Sequence, residues 1–434
     1  MGKKTAAKSK RPRLAAAAEE SGSQQPLPAG GGDPDDLDQS ISRLTDDLLL
    51  EIVKLLPTAD GCRSQILSSR WRPLWPSTSP SYKAMDYWGQ EEDRVAANLR
   101  VHPGPIRRFS LRWFRGAFED HPGVNDLLRQ PVLDNLQVLE LSYAPNCWAE
   151  PNLPPPAVFR IYFSMGDACC NVDFPQLEQL TLKHIHISED ALHAFLSRCH
   201  VLQTLVLHDN IGYRCLQINS LTLYKLGITD GHIRDTQSQE YQDIWFEEVV
   251  IEHALLLERL SLDDIIYHMK IRVIHAPKLK KLGYIYFGDA TMVFKGAELV
   301  SLTNAIRTVK ILCLNTFRNV DVVIGFLQCF PCVEELDLVD IGGRIENAQR
   351  DVSLECLDAH LKNVQLKPYT GRRSQVQLIR FFLANAKVLE SMTFADIVYE
   401  PDAKWVASQH KKLMLDNRAS HDAKFCFSKP YYLG

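Results

Sequence analysis

One pattern of apolar positions recurs from Ile106 to Phe394: apolar-x-x-apolar-x-apolar. It occurs at Ile106-Phe109-Leu111, Leu136-Leu139-Leu141, Leu177-Leu180-Leu182, Leu202-Leu205-Leu207, Leu223-Leu226-Ile228 and Leu257-Leu260-Leu262. It continues at Leu279-Leu282-Tyr284, Val309-Leu312-Leu314, Val333-Leu336-Leu338, Leu361-Val364-Leu366 and Leu389-Met392-Phe394. The spacing is uneven, shortest from Leu202 to Leu223 and longest from Leu136 to Leu177. One copy would fit any strand of a mixed domain, but eleven in succession predict an irregular array of stacked repeats. The alternating tail of each copy suits a short strand, and its leading residue anchors the turn before that strand.

Three segments between copies have helical spacing instead. "EDALHAFLSRC" aligns Leu192, Phe195 and Leu196, "NVDVVIGFLQC" aligns Val322, Val323, Phe326 and Leu327, and "QVQLIRFFLANA" aligns Ile379, Phe382 and Leu383. They end at Cys199, Cys329 and Asn385, just before the next strand. Helix and strand alternating in this way predict a solenoid with a concave parallel sheet and convex helices.

The N-terminal part reads differently. Residues 1–38 are rich in Ala, Gly, Pro, Ser and charge, the composition of a disordered tail. Lys3, Lys4, Lys8, Lys10, Arg11 and Arg13 give that tail a basic cluster, either a nuclear-import signal or a solvated run. In "ISRLTDDLLLEIVKLLP", Thr45 is placed to cap a helix, and Asp46 and Asp47 suit its positive end. Leu48, Leu49, Ile52, Val53, Leu55 and Leu56 then form a wide apolar stripe. Pro57 stops that helix; a second follows in "ADGCRSQIL" and a third, capped by Ser68 and cut by Pro73, in "SRWRPLW". Three short helices between Ile41 and Trp75 bury too little to stand alone, so part of their apolar surface belongs to an interface.

Composition narrows the classes. Of 434 residues, 45% are hydrophobic and 24% charged, with a net charge of -4, which gives no global case for nucleic-acid binding. No apolar run approaches the roughly 20 residues of a membrane span, and the basic N-terminus lacks a secretory apolar core. Eleven scattered cysteines fit free thiols in a reducing compartment, so the expected location is the nucleus and/or cytoplasm.

Candidate chemistry is thin. Cys329 and Cys332 have redox spacing, but Cys329 falls at a predicted helix C-terminus, where the dipole opposes a thiolate. His184, His186 and His193 lack a Cys or carboxylate at ligand spacing and read as repeat-surface histidines, so no metal and no cofactor are expected. Arg107, Arg108, Arg112 and Arg115 among Phe109, Trp113, Phe114 and Phe118 read as a charge-guarded edge strand rather than a nucleic-acid site. No motif for nucleotide, acyl or metal-dependent hydrolysis stands out, and no catalytic residue is assigned. The default partner surface is the polar set between the repeat leucines: Glu140, Thr181, Thr204, Arg259, Ser261, Glu335, Asp337, Asn363 and Gln365.

Residues Ile41 to Trp75 resemble an F-box, the adaptor-binding module of cullin–RING ubiquitin ligases. The resemblance rests on Leu44, Asp46-Asp47-Leu48, Leu55-Leu56-Pro57, Arg63 and the closing "LSSRWRPLW"; Thr45 stands where the family usually has proline, and Gly61 where it has a larger apolar residue. The repeats are similar to the leucine-rich repeats of plant F-box proteins, and Cys356 to Phe394 resembles the FBD module of the same group. The resemblance implies 39–78 as F-box, 79–350 as leucine-rich-repeat region, 351–395 as an FBD-like module continuing the solenoid, and 396–434 as a C-terminal cap. It implies a non-catalytic substrate receptor. Leu44, Asp47, Leu48, Ile52, Leu55, Pro57, Ile66, Leu67, Trp71, Leu74 and Trp75 would meet a Skp-type adaptor and, through it, cullin and RING subunits. The alternative is a non-ligase leucine-rich-repeat scaffold with a weakened F-box.

Overall fold

The structure is a computed structural model. It describes residues 41, 43–56, 58–77, 81–86, 99, 105–113, 127–143, 163–164, 173–230, 246–263, 270–286, 291–294, 297–298, 306–316, 320–340, 353–397 and 402–428. The 1–38 tail with its basic cluster, Pro57, and the stretch from Phe114 to Phe118 lie outside the described residues. By density of contacts the chain divides into two units, Met1–Leu49 and Leu50–Gly434.

In chain order the helices are α1 (Asp46–Leu55), α2 (Thr58–Arg63), α3 (Leu74–Ser77), α4 (Glu189–Arg198), α5 (Val320–Cys329), α6 (Glu355–Ala359), α7 (Arg373–Asn385) and α8 (Ala403–Leu413). The strands are β1 (Ser81–Asp86), β2 (Arg108–Trp113), β3 (Val138–Tyr143), β4 (Phe163–Ser164), β5 (Gln179–Lys183), β6 (Ile185–His186), β7 (Thr204–His208), β8 (Cys215–Ser220), β9 (Lys225–Thr229) and β10 (Glu248–Ala254). They continue as β11 (Arg259–Asp263), β12 (Lys270–Val273), β13 (Lys281–Tyr286), β14 (Thr291–Phe294), β15 (Ala297–Glu298), β16 (Ile311–Thr316), β17 (Glu335–Asp340), β18 (Asn363–Lys367), β19 (Ser391–Phe394) and β20 (Lys424–Phe427).

All eleven copies of the repeat become neighbouring strands of one thirteen-stranded parallel sheet, ordered β1-β2-β3-β5-β7-β9-β11-β13-β16-β17-β18-β19-β20. The leading apolar residue of each copy, such as Ile106, Leu177, Leu257 or Val333, is buried, as are the second and third of most copies. One continuous core runs behind the sheet from Leu99 to Ala423. A fully buried Leu or Ile side chain stabilises by about 1.5–3 kcal/mol relative to exposure, so this single stripe is the main source of cohesion.

Four expectations need correction. First, Tyr284 does not take the third repeat position: a register shift in β13 sets Ile285, not Tyr284, opposite Leu314. Second, β2 is not an edge strand, because β1 pairs with it along its whole length. Both end strands escape the repeat pattern. Where an inner copy has its leading apolar residue, β1 is preceded by Ser79 and β20 by Asp422. Third, the layer behind the sheet is not helical throughout. Helices α4, α5 and α7 form as expected, but between them β8, β10, β12, β14 and β15 form a second sheet, ordered β15-β14-β12-β10-β8 and parallel except at β14–β15. Fourth, no helix spans Ser68 to Pro73. That segment is a chain of turns, with Trp71 N–H bonded to Ser68 O and Leu74 N–H to Trp71 O, and α3 begins just after the proline. Proline lacks an N–H and has a helical φ, so it favours a helix start over a helix middle.

Where helix gives way to strand, the side chains of α4 close the edge of the second sheet. Glu189 Oε2 accepts from the backbone N–H of Arg214 and of Cys215 (2.9 and 3.0 Å). His193 Nε2 accepts from Gln217 N–H at 3.0 Å. These bonds satisfy donors that an open sheet edge would otherwise present to another chain.

Candidate interaction surfaces

The strand registers turn the sequence-predicted partner residues into rows. Glu140 pairs laterally with Thr181 and leads through Val206 and Gly227 to Ser261. Beyond the shift in β13, the same row holds Asp337, Gln365 and Thr393. A second row links Thr204, Lys225, Arg259 and Lys281, then Ile311, Glu335 and Asn363. All nine predicted residues therefore share the face away from the core, because strand side chains alternate and the repeat leucines take the other face.

That face has a charge order that sequence spacing did not reveal. Lys225, Arg259 and Lys281 stand side by side on three successive strands, whereas Glu335 and Asp337 lie on β17. Arg259 also lies over the Tyr224 ring, 5.6 Å from its centroid. Other members of the set are tied to neighbours: Glu140 accepts from Lys183 Nζ (3.2 Å) and Ser110 Oγ (3.4 Å), and Asn363 from Ser391 Oγ (2.8 Å).

In the N-terminal helices, Thr45 caps α1 as expected: its Oγ1 accepts from Leu48 N–H at 3.4 Å. Leu49 and Val53 are buried, while Leu48 (52%), Ile52 (37%), Leu55 (86%), Ile66 (84%) and Leu67 (65%) are exposed. Positions 48, 52 and 55 fall on one helical face. Leu44 and Trp71 are half-buried, and Asp47 is exposed. Leu74 and Trp75, by contrast, are buried (7% and 6%). Gly61 explains itself here: a Cβ at that position would run into the Trp75 indole. The small residue that departs from the F-box pattern is the seat of the second tryptophan.

Two of the helix-ending residues, Cys199 and Asn385, share a structural slot. Cys199 Sγ donates to Phe195 O (3.3 Å), and Asn385 Nδ2 to Phe381 O (2.8 Å), each four residues back. Burial, with Asp173 nearby, pushes the Cys199 thiol up to about 12. Burial also raises the Cys329 thiol, the opposite of what redox reactivity requires. Cys332 lies with Glu355 and His360, but Arg307 grips Glu355 through both nitrogens (2.8 and 2.9 Å) and reaches the Cys332 sulfur at 3.6 Å. The guanidinium competes with any cation for Glu355.

A long parallel sheet assembled from the repeat leucines, with helices or short strands behind it, defines a leucine-rich-repeat protein. The comparisons with known proteins refine this. Residues 124–338 match the family described as FBD-associated F-box protein At5g56370, LRR repeats, and residues 350–394 match the FBD family. F-box/FBD/LRR-repeat protein At1g13570 of Arabidopsis thaliana is 23% identical over 84% of this chain and 92% of its own length. FBD-associated F-box protein At4g10400 of the same plant is 23% identical over 81% and 91%. F-box/LRR-repeat protein At1g55660, also from that plant, is 30% identical over 42% of this chain and 56% of its own. These matches support a plant F-box/leucine-rich-repeat protein with an FBD module.

Proposed function

We propose that this protein is the substrate-recognition subunit of a ubiquitin ligase built on a Skp-type adaptor and a cullin, acting in the nucleus and/or cytoplasm. The observation that carries the reading is the exposed aliphatic set Leu48, Ile52, Leu55, Ile66 and Leu67 at positions where an F-box meets its adaptor. Leaving several large apolar side chains in water is unfavourable unless a partner covers them. The receptor performs no bond chemistry. It holds a target lysine near the ubiquitin thioester, which raises its effective concentration. The outward face of the large sheet is the target-binding surface, and the Lys225, Arg259 and Lys281 row suits an acidic stretch of the target.

Leu55→Asp with Ile66→Asp alters two of the most exposed positions and spares the buried Trp75. The double variant is expected to fold and to lose co-purification of the adaptor; retained adaptor would sink the assignment. Lys225→Glu with Arg259→Glu is expected to keep the adaptor and lose targets. A second reading is favoured by Thr45, which serves as a helix cap where the family has proline: an interaction scaffold uncoupled from the ligase. Immunoprecipitates holding cullin and polyubiquitinating activity would exclude it.

A further inference from the structure

Two histidines and an aspartate from successive repeats converge at the C-terminal ends of the neighbouring strands β5 and β7. His184 follows β5, while His208 ends β7 and Asp209 follows it. His208 Nδ1 is 3.2 Å and His184 Nδ1 4.0 Å from Asp209 Oδ2. One donor atom from each residue lies within 4.8 Å of the other two. Donors around a tetrahedral zinc-class ion at about 2.0–2.2 Å stand roughly 3.3 Å apart, so small side-chain movements would close the triad.

The backbone beneath the triad is fixed. Buried Asn210 donates from Nδ2 to Leu182 O (2.9 Å) and accepts at Oδ1 from Ile185 N–H (2.8 Å), bracketing His184 from both sides. His184 N–H bonds to His208 O (2.9 Å), and Asp209 N–H to Thr229 O (2.8 Å). His184 and Asp209 both hold left-handed backbone, φ 54° and 48°. That conformation is uncommon for residues other than glycine and persists where surroundings enforce it. The adjacent cation, Lys183, is turned to Glu140.

We propose that His184, His208 and Asp209 bind a divalent transition-metal ion of the zinc class, clamping two successive repeats. Two imidazole nitrogens and one carboxylate oxygen are a donor set such ions favour, and three protein ligands leave the remaining position to water. Asn210 is a positioning residue for the triad.

Cobalt(II) titrated into the metal-stripped full chain tests this. The expected result is one equivalent with visible d–d bands and no thiolate charge-transfer band, a distinction needed because the chain has eleven cysteines. His208→Ala and Asp209→Asn should each lose that equivalent, His186→Ala and His200→Ala should keep it, and Asn210→Ala should weaken it roughly tenfold or more. X-ray absorption of the zinc-loaded wild type is independent of how any variant folds, and should show imidazole and oxygen scattering. No bound cobalt at micromolar protein, a sulfur-ligated ion, or full binding by His208→Ala would each overturn the proposal.

Discussion

The repeats backed by helices and the repeats backed by strands use the same front and different rears. In both, the repeat leucines give strands of the same parallel sheet, in regular register except at the shift in β13. Behind β7 and β11 the chain returns quickly, from Leu202 to Leu223 and from Leu257 to Leu279, and the rear element is a strand. The longer returns from Leu177 to Leu202, Val309 to Val333 and Leu361 to Leu389 hold α4, α5 and α7. Length alone does not decide, because the long return from Leu223 to Leu257 still carries β10. Side-chain chemistry does the rest. The rear strands bury Leu216 and Ile218, Val249 and Ile251, or Ile271 and Val273 at alternate positions, as a pleated surface requires. The helices instead bury Phe195, Phe326 and Phe382, one large side chain reaching inward per helix or more. The strand-backed repeats thus line their rear strands with branched aliphatic residues, with the aromatics Tyr213 and Phe246 packed together just before β8 and β10.

The largest contrast should appear in thiol chemistry. Cys199 ends α4 and is buried, and burial with Asp173 pushes its thiol up to about 12; Cys215 begins β8 and is half-exposed, its thiol raised mainly by burial and by Glu248. A raised thiol holds less thiolate at a given pH. At pH 8 a thiol near 12 is ionised to roughly one part in 10⁴, so alkylation of buried native Cys199 should be slow, and slower than that of half-exposed Cys215. Cys313 and Cys356, also pushed up to about 12 by burial, should resist alongside it, while exposed Cys62 and Cys426 label first. Peptide mass spectrometry after a timed alkylation reads the order. Equal rates at Cys199 and Cys215 would mean that the helix-backed layer opens as readily as the strand-backed one.

Truncation in the two cores is the next test. Phe382 in α7 and Ile251 in β10 are both fully buried. Phe382→Ala should cost about 3–5 kcal/mol, and Ile251→Ala about 2–4 kcal/mol, measured by urea unfolding of the full chain. The smaller figure reflects fewer atoms removed. If Ile251→Ala proves the more damaging, the size of the side chain removed does not rank the two cores.

How legible all this was depends on which residues carry the signal. The front strands were legible because each copy buries its leading apolar residue and most copies bury the alternating pair as well. The end strands were not, since β1 and β20 have Ser79 and Asp422 where an inner copy has its anchor. The rear strands carried a readable alternation, Leu216-x-Ile218 and Ile271-x-Val273, but runs this short cannot overrule the helices seen elsewhere in the array. The partner rows were half legible. Spacing gave the face of each residue, whereas the basic run of Lys225, Arg259 and Lys281 needed the register. His208 and Asp209 were missed beside His184 because a whole repeat of chain separates them, and only the stacking of β5 on β7 joins them.

The smallest test sits at the junction of the two regions. Ser188 caps α4, its Oγ accepting from Ala191 N–H at 3.3 Å, and the next residue, Glu189, closes the edge of β8. Ser188→Ala removes only the cap and should cost about 1 kcal/mol, read as a shift in the urea midpoint. Glu189→Ala removes an acceptor shared by two backbone donors. These donors lie at the rim, where water replaces the lost partner, so the cost should be of the same small order. The difference between the two lies in what is exposed afterwards. Ser188→Ala leaves the β8 edge covered, whereas Glu189→Ala uncovers two N–H groups beside a parallel sheet. Light scattering on warming should rise earlier for Glu189→Ala than for Ser188→Ala at equal stability. Identical scattering would mean that the helix-to-strand junction needs no guard.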